Sequence, residues 1–261
     1  MSAPTQPRRR ALFSTAQPGF TLIELAVGLL VLSLLLATLL GPLTAQVDQK
    51  KISDTQATLN QISEALIGFA MSRGYLPCPD KTAGAAGGVN NTPNDGNEDF
   101  VGANCVVSEG NLPWATLGIS GTDAWGNFFR YNVTPLFAQR PKAITLASGA
   151  NANITVVCPA PACNPQITYT SAGNLAPALV MSHGKNGAGA INATTRALMP
   201  APTSGNEITN ATLPAGFGDA KTFNIRPATA ASGATTEFDD VVVWLSTPIL
   251  LSRMVTAQQL P

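Results

Sequence analysis

Residues 20–40 read FTLIELAVGLLVLSLLLATLL, an apolar run broken by a single charge at Glu24. A spanning helix needs about 20 apolar residues, so the run is long enough to cross a bilayer and too long for the apolar core of an ordinary secretory signal. No Ala-x-Ala site precedes GPLTAQVDQKK, so the run is expected to be retained. Arg8, Arg9 and Arg10 stand before it, and a basic flank keeps the N-terminus cytoplasmic. A lone carboxylate in hydrocarbon costs about 2.5 kcal/mol or more, so Glu24 requires a purpose.

The run continues into a second helical pattern. Val47, Ile52, Thr55, Leu59, Ile62, Leu66 and Phe69 recur at steps of mostly three and four, with Asp48, Lys50, Lys51, Asp54, Gln56 and Asn60 between them. Gly41 and Pro42 predict a kink rather than an end. One helix over about residues 20–73 would be about 80 Å long at 1.5 Å per residue. Its first half, residues 20–44, is apolar all round, and its second, residues 45–74, carries one apolar stripe. Such a helix needs lipid or other apolar helices first and a globular domain, residues 75–261, second.

Composition excludes several classes. The 15 basic and 15 acidic residues give no net charge to draw nucleic acid, and only 11% of residues are charged against 23 glycines and 20 prolines. Beyond Gly19 the balance is 12 basic to 15 acidic. This weakly charged surface suits an exported chain. Cys78, Cys105, Cys158 and Cys163 are even in number and follow an export segment, which favours disulfides; neighbouring pairing is preferred among three connectivities. Zinc is the rival, but neither pair has two-residue spacing and His183 is the single histidine. There is no P-loop, dinucleotide fingerprint or H-E-x-x-H, and the adjacent Ser182 and His183 make no triad by themselves, so no enzymatic role is expected.

GFTLIELAVGLLVLSLLL, preceded by RRR and followed by Pro42, resembles the N-terminus of type IV prepilins and of the pseudopilins of type II secretion systems. The resemblance implies a leader of residues 1–19, cut after Gly19 by an inner-membrane prepilin peptidase, and methylation of Phe20. Glu24 becomes the acidic residue at the fifth mature position. Cleavage creates a positive amine on Phe20, which Glu24 of a neighbouring subunit would neutralise. A buried pair of this kind fixes register, and losing one partner strands the other at a cost of several kcal/mol. The implied partners are other pilin-like subunits, the peptidase, an inner-membrane assembly platform and membrane lipid. The implied location is the inner membrane, with residues 75–261 periplasmic.

Downstream, PDKTAGAAGGVNNTPNDGNEDFVGAN reads as a turn-dense loop in which Asp95, Glu98 and Asp99 are solvated. NFFRYNV, KAITLAS, NITVVC, QITYT, ALVMSHG and FDDVVVWLS read as strands, and PILLSRMVTAQQL as a C-terminal helix. Trp114, Trp125 and Trp244 are expected in the core. The fold expected is α+β and pilin-like, a long N-terminal helix packed on an antiparallel sheet. DAWGNFFRY, SHGKNG and DDVVVW are similar to stretches of major pseudopilins whose turn and late acidic pair fold around calcium. That resemblance implies a calcium site at Asn186, Asp239 and Asp240, with Asn186 where the family has aspartate. The pseudopilin stretches favour a type II secretion system. The alternatives are a major or minor type IV pilus subunit, for which the insertion between Gly187 and Asp239 could be a binding region, and a membrane-tethered periplasmic domain that does not polymerise.

Overall fold

Helix α1 runs Leu22–Arg73. It is part of a computed structural model that describes residues 19–82, 92–142, 144–170, 175–203, 205–214, 216–229 and 237–260, without the side chains of 37–44. The leader before Gly19 and the expected kink side chain Pro42 therefore lie outside what is described. The chain divides into two units, Met1–Val47 and Asp48–Pro261. Among the described residues no helix is long and apolar enough to cross a membrane; the side chains of the first apolar run are described only as far as Leu36.

In the second unit the amphipathic stripe is buried where the period predicts. Thr55, Leu59, Ile62, Leu66 and Ala70 are each no more than 1% exposed, whereas Ile52 lies at the surface. The stripe covers one face of a four-stranded antiparallel sheet ordered β3 (Glu109–Asn111), β4 (Arg130–Val133), β7 (Ala178–Ser182) and β9 (Val241–Trp244). Strand alternation sorts the side chains. Tyr131, Val133, Ala178 and Val180 join the helix-side core, together with Leu250 and Met254 of the C-terminal helix α4 (Thr247–Thr256). Each fully buried leucine or isoleucine contributes about 1.5–3 kcal/mol.

The other face is also covered. Leu179, Met181 and Val242 pack there against Ile154, Val156 and Phe223. The last three belong to a second sheet ordered β6 (Ile167–Thr168), β5 (Ile154–Cys158) and β8 (Lys221–Asn224), in which β5 and β8 run parallel. A small hairpin, β1 (Phe100–Val101) with β2 (Asn104–Cys105), and two short helices, α2 (Trp114–Leu117) and α3 (Gly205–Ala211), complete the strands and α-helices among the described residues. The antiparallel sheet on a long helix matches the expected α+β class, while the parallel β5–β8 pair and the elements inside the insertion are additions.

Three local expectations are corrected. KAITLAS is not a strand: Leu146–Asn151 is a 3-10 helix begun by a capping box, with the Thr145 N–H donating to Ser148 Oγ at 2.9 Å. The acidic cluster of the loop is not solvated. Asp99 is buried and accepts the Lys81 N–H at 2.9 Å, Glu98 pairs with Arg140, and Asp80 accepts the N–H groups of Asn94 and Gly96 at 3.0 and 2.8 Å. The three tryptophans are half-buried rather than central, and Trp114 stacks on Phe128 at 4.4 Å between ring centroids. The disulfides join Cys78 to Cys105 and Cys158 to Cys163, the neighbouring connectivity.

Candidate functional site

Gly19 and Phe20 precede the first turn of α1, and Phe20 is 83% exposed. Thr21 and Glu24 form a T-x-x-E cap: the Glu24 N–H donates to Thr21 Oγ1 at 3.3 Å, and the Thr21 hydroxyl reaches Glu24 Oε2 at 3.5 Å. An acidic residue in a first turn also complements the helix dipole. Glu24 has no cationic partner among the described residues. From Leu22 to Leu36 no large apolar side chain is less than 49% exposed. Among the described residues the helix start thus presents a carboxylate without a cation within an uncovered apolar surface.

A second site forms where the β7 exit meets the β9 entry. Gly184 adopts φ +64°, and a Cβ there would lie 2.3 Å from the Asp239 carbonyl oxygen, so only glycine permits this approach. The turn then donates the Asn186 N–H to Asp239 Oδ2 at 2.8 Å. Glu207 of α3 reaches in from the insertion and accepts the Asp239 N–H at 3.1 Å. Glu207, Asp239 and Asp240 each place a carboxylate oxygen within 4.8 Å of the others. Burial, followed by repulsion from Glu207 and Glu237, raises Asp239 to about 7. Burial also raises Glu207, and raises Asp240 well above the carboxylate range. Asp239 Oδ1 is buried without a hydrogen-bond partner among the described residues.

Behind this turn lies a buried polar network. Glu109 of β3 accepts from Arg130 at 3.1 Å, from Lys221 at 2.7 Å and from Asn132 at 2.9 Å. Burial lowers Lys221 to about 8 while Glu109 opposes that shift. Arg130 Nε–H donates to His183 Nε2 at 3.1 Å, which leaves the imidazole proton on Nδ1, and burial holds His183 neutral. Ser182 instead donates to Asp123 Oδ2 at 2.6 Å. Asp123 also accepts the N–H groups of Trp125 and Asn127, both at 2.9 Å, and so shapes the DAWGN turn.

The N-terminal geometry has a counterpart in known sequences. The chain carries the prokaryotic N-terminal methylation motif. It covers residues 14–40, taking in Gly19, Phe20 and Glu24, and is the signature of type IV pilins and pseudopilins. No curated protein and no solved structure matches the chain significantly. The pilin-like motif implies, in general, assembly with other pilin subunits and processing by a prepilin peptidase.

The calcium expected from the pseudopilin resemblance can be tested against the donor set. Three carboxylates, one of them with an orphaned oxygen, Asp239 Oδ1, supply the hard oxygen donors that such a cation takes, and its charge would relieve their repulsion, so these residues fit it. Asp239 and Asp240, neighbours in sequence, share the cluster with Glu207. Asn186 adjoins them, but its Oδ1 accepts the Ala188 N–H at 2.8 Å and its Nδ2 faces Glu207 at 3.3 Å. Its amide nitrogen, rather than its oxygen, is therefore turned toward the carboxylates. Glu207 was invisible to motif reading, because GNEITNA sits in a segment that resembles none of the pseudopilin stretches. The T-x-x-E pattern was the available signal for the cap.

Proposed function

We propose that this chain is a filament subunit of the pilin type, acting as a pseudopilin in a type II secretion system. The observation that carries the reading is the methylation motif seated on a capped helix start whose Glu24 has no cationic partner among the described residues. In this reading residues 20–44 hold the subunit in the inner membrane, cleavage follows Gly19, Phe20 is methylated, and Glu24 receives the Phe20 amine of a neighbour. Two buried charges then neutralise each other inside the bundle of apolar helices. The secretion system, rather than a pilus, is favoured by the DAWGNFFRY and DDVVVW stretches, whose Asp123 and Asp239 organise turns here.

Glu207, Asp239 and Asp240 would hold calcium and tie the insertion to the β9 entry, making the cation structural. No catalytic role is assigned: Ser182 is committed to Asp123 and His183 to Arg130. Mass spectrometry of the mature chain tests the reading. An N-terminus at Phe20 carrying one methyl group is expected, and an intact leader or an unmodified cut elsewhere refutes it. Deleting the gene should abolish secretion of folded proteins and spare surface pili; the reverse pattern would assign the subunit to a pilus.

A further inference from the structure

The insertion builds a pocket separate from the acidic turn. Residues 189–192 and 197–200 lie antiparallel, with Asn192 N–H donating to Ala197 O at 3.0 Å and Met199 N–H to Ala190 O at 2.8 Å. Ile191 stands opposite Leu198 in this ribbon. At such a non-hydrogen-bonded position the main-chain groups face outward. Among the described residues neither the N–H nor the C=O of Leu198 has a partner. Ribbon and α3 together enclose a cavity of about 370 Å³ whose walls include Ile191, Leu198, Met199, Pro202, Ile208 and Leu213. Leu198, Ile208 and Leu213 remain 68%, 44% and 49% exposed, so this apolar surface is accessible.

Two arginines also line the cavity, and they differ. Arg130 is buried, with its guanidinium bonded to His183, Glu109 and the Gly189 carbonyl, so its charge is balanced. Arg196 is exposed and its Nη1–H donates to the Asn94 carbonyl oxygen; it forms no ion pair among the described residues. Among the described residues no acidic side chain lines the cavity. Arg196 also holds φ +56°, a region that non-glycine residues seldom occupy, two positions before the free edge at Leu198. An apolar cavity, an open main-chain edge and an unbalanced guanidinium thus lie side by side.

We infer that this pocket takes the apolar C-terminal residue of an extended peptide. Its side chain fills the cavity, its main chain pairs with Leu198, and its carboxylate meets Arg196. A free aliphatic acid could supply the first and third contacts but not the second, which is why a peptide is assigned. The site lies within Asp48–Pro261 and does not depend on filament assembly.

The test uses the full chain in phospholipid nanodiscs and a fluorescein-labelled pentapeptide ending Val-Ala-Leu with a free carboxylate, followed by anisotropy. Saturable binding is expected. Three changes should each weaken it about tenfold: Arg196→Gln, amidation of the peptide C-terminus, and N-methylation of the peptide's last residue. Ile208→Asp, with an unchanged melting temperature, should abolish it. Absence of saturable binding overturns the inference. So does equal binding of the amidated peptide, which needs no variant to fold, or equal competition by octanoate.

Discussion

Replacing Asp239 by asparagine should make the chain more stable at pH 8 when divalent cations are absent. Burial and the carboxylates of Glu207 and Glu237 raise Asp239 from 3.8 to about 7, against the Asn186 N–H that favours its charge. About three pH units correspond to about 4 kcal/mol, and the partial solvent contact of Asp239 reduces this to about 2–3 kcal/mol. The folded state binds this proton more tightly than the unfolded state. Stability therefore falls as pH rises from about 4 to 7 and levels off above. Asparagine carries no charge and still offers an oxygen to the Asn186 N–H. The variant should gain about 2–3 kcal/mol at pH 8 and little at pH 4. Asp80, also raised to about 7 by burial, adds a similar slope to both proteins and cancels in the difference.

Calcium should cancel this advantage at a hundredfold excess over Kd and reverse the order at a thousandfold, because binding to the parent's folded state alone adds about 2.7 and about 4.1 kcal/mol respectively. Urea unfolding of both full chains in nanodiscs, at pH 4 and pH 8 with EDTA or millimolar calcium, measures their stabilities under all four conditions. A variant less stable than the parent at pH 8 in EDTA would refute the charge reasoning. Equal stabilisation of both proteins by calcium would refute the assignment of the ligands.

Two further outcomes follow from buried contacts. Glu109→Gln strands Arg130 and Lys221 in the interior and should cost about 3–5 kcal/mol in urea unfolding, so a loss below about 1 kcal/mol would show that the network is not electrostatically coupled. Replacing Cys78 and Cys105 by serine should cost about 3.5 kcal/mol, and replacing Cys158 and Cys163 about 2 kcal/mol, because the first pair closes 27 residues of separation and the second 5; equal losses in thermal melts would contradict the loop argument.

The helix and most strands were legible because their signals are periodic. Leu59, Ile62 and Leu66 are buried as their spacing predicts, and NITVVC, ALVMS and VVVW are rich in β-branched or apolar residues. The site was legible only in part. Propensity reasoning sends charges to the surface, so it missed β8, whose Lys221 turns inward to Glu109, and α3, whose Glu207 and Asn210 are its buried residues. Buried polar partners are distant in sequence, 112 positions for Lys221 and Glu109, and no local pattern encodes them. KAITLAS failed for the opposite reason: the Thr145–Ser148 cap is a short-range signal that outweighs the strand preference of Ile144 and Thr145.

Assembly through Glu24 is tested most directly by Glu24→Ala expressed in place of the natural chain, with disulfide-independent cross-linking of filaments and an assay of N-terminal processing. The variant should reach the membrane and be cut after Gly19 and methylated like the parent, yet be absent from cross-linked filaments, because a neighbour's Phe20 amine is left buried without its counter-charge. Incorporation at the parent's level would contradict the pairing and with it the role assigned to the helix start.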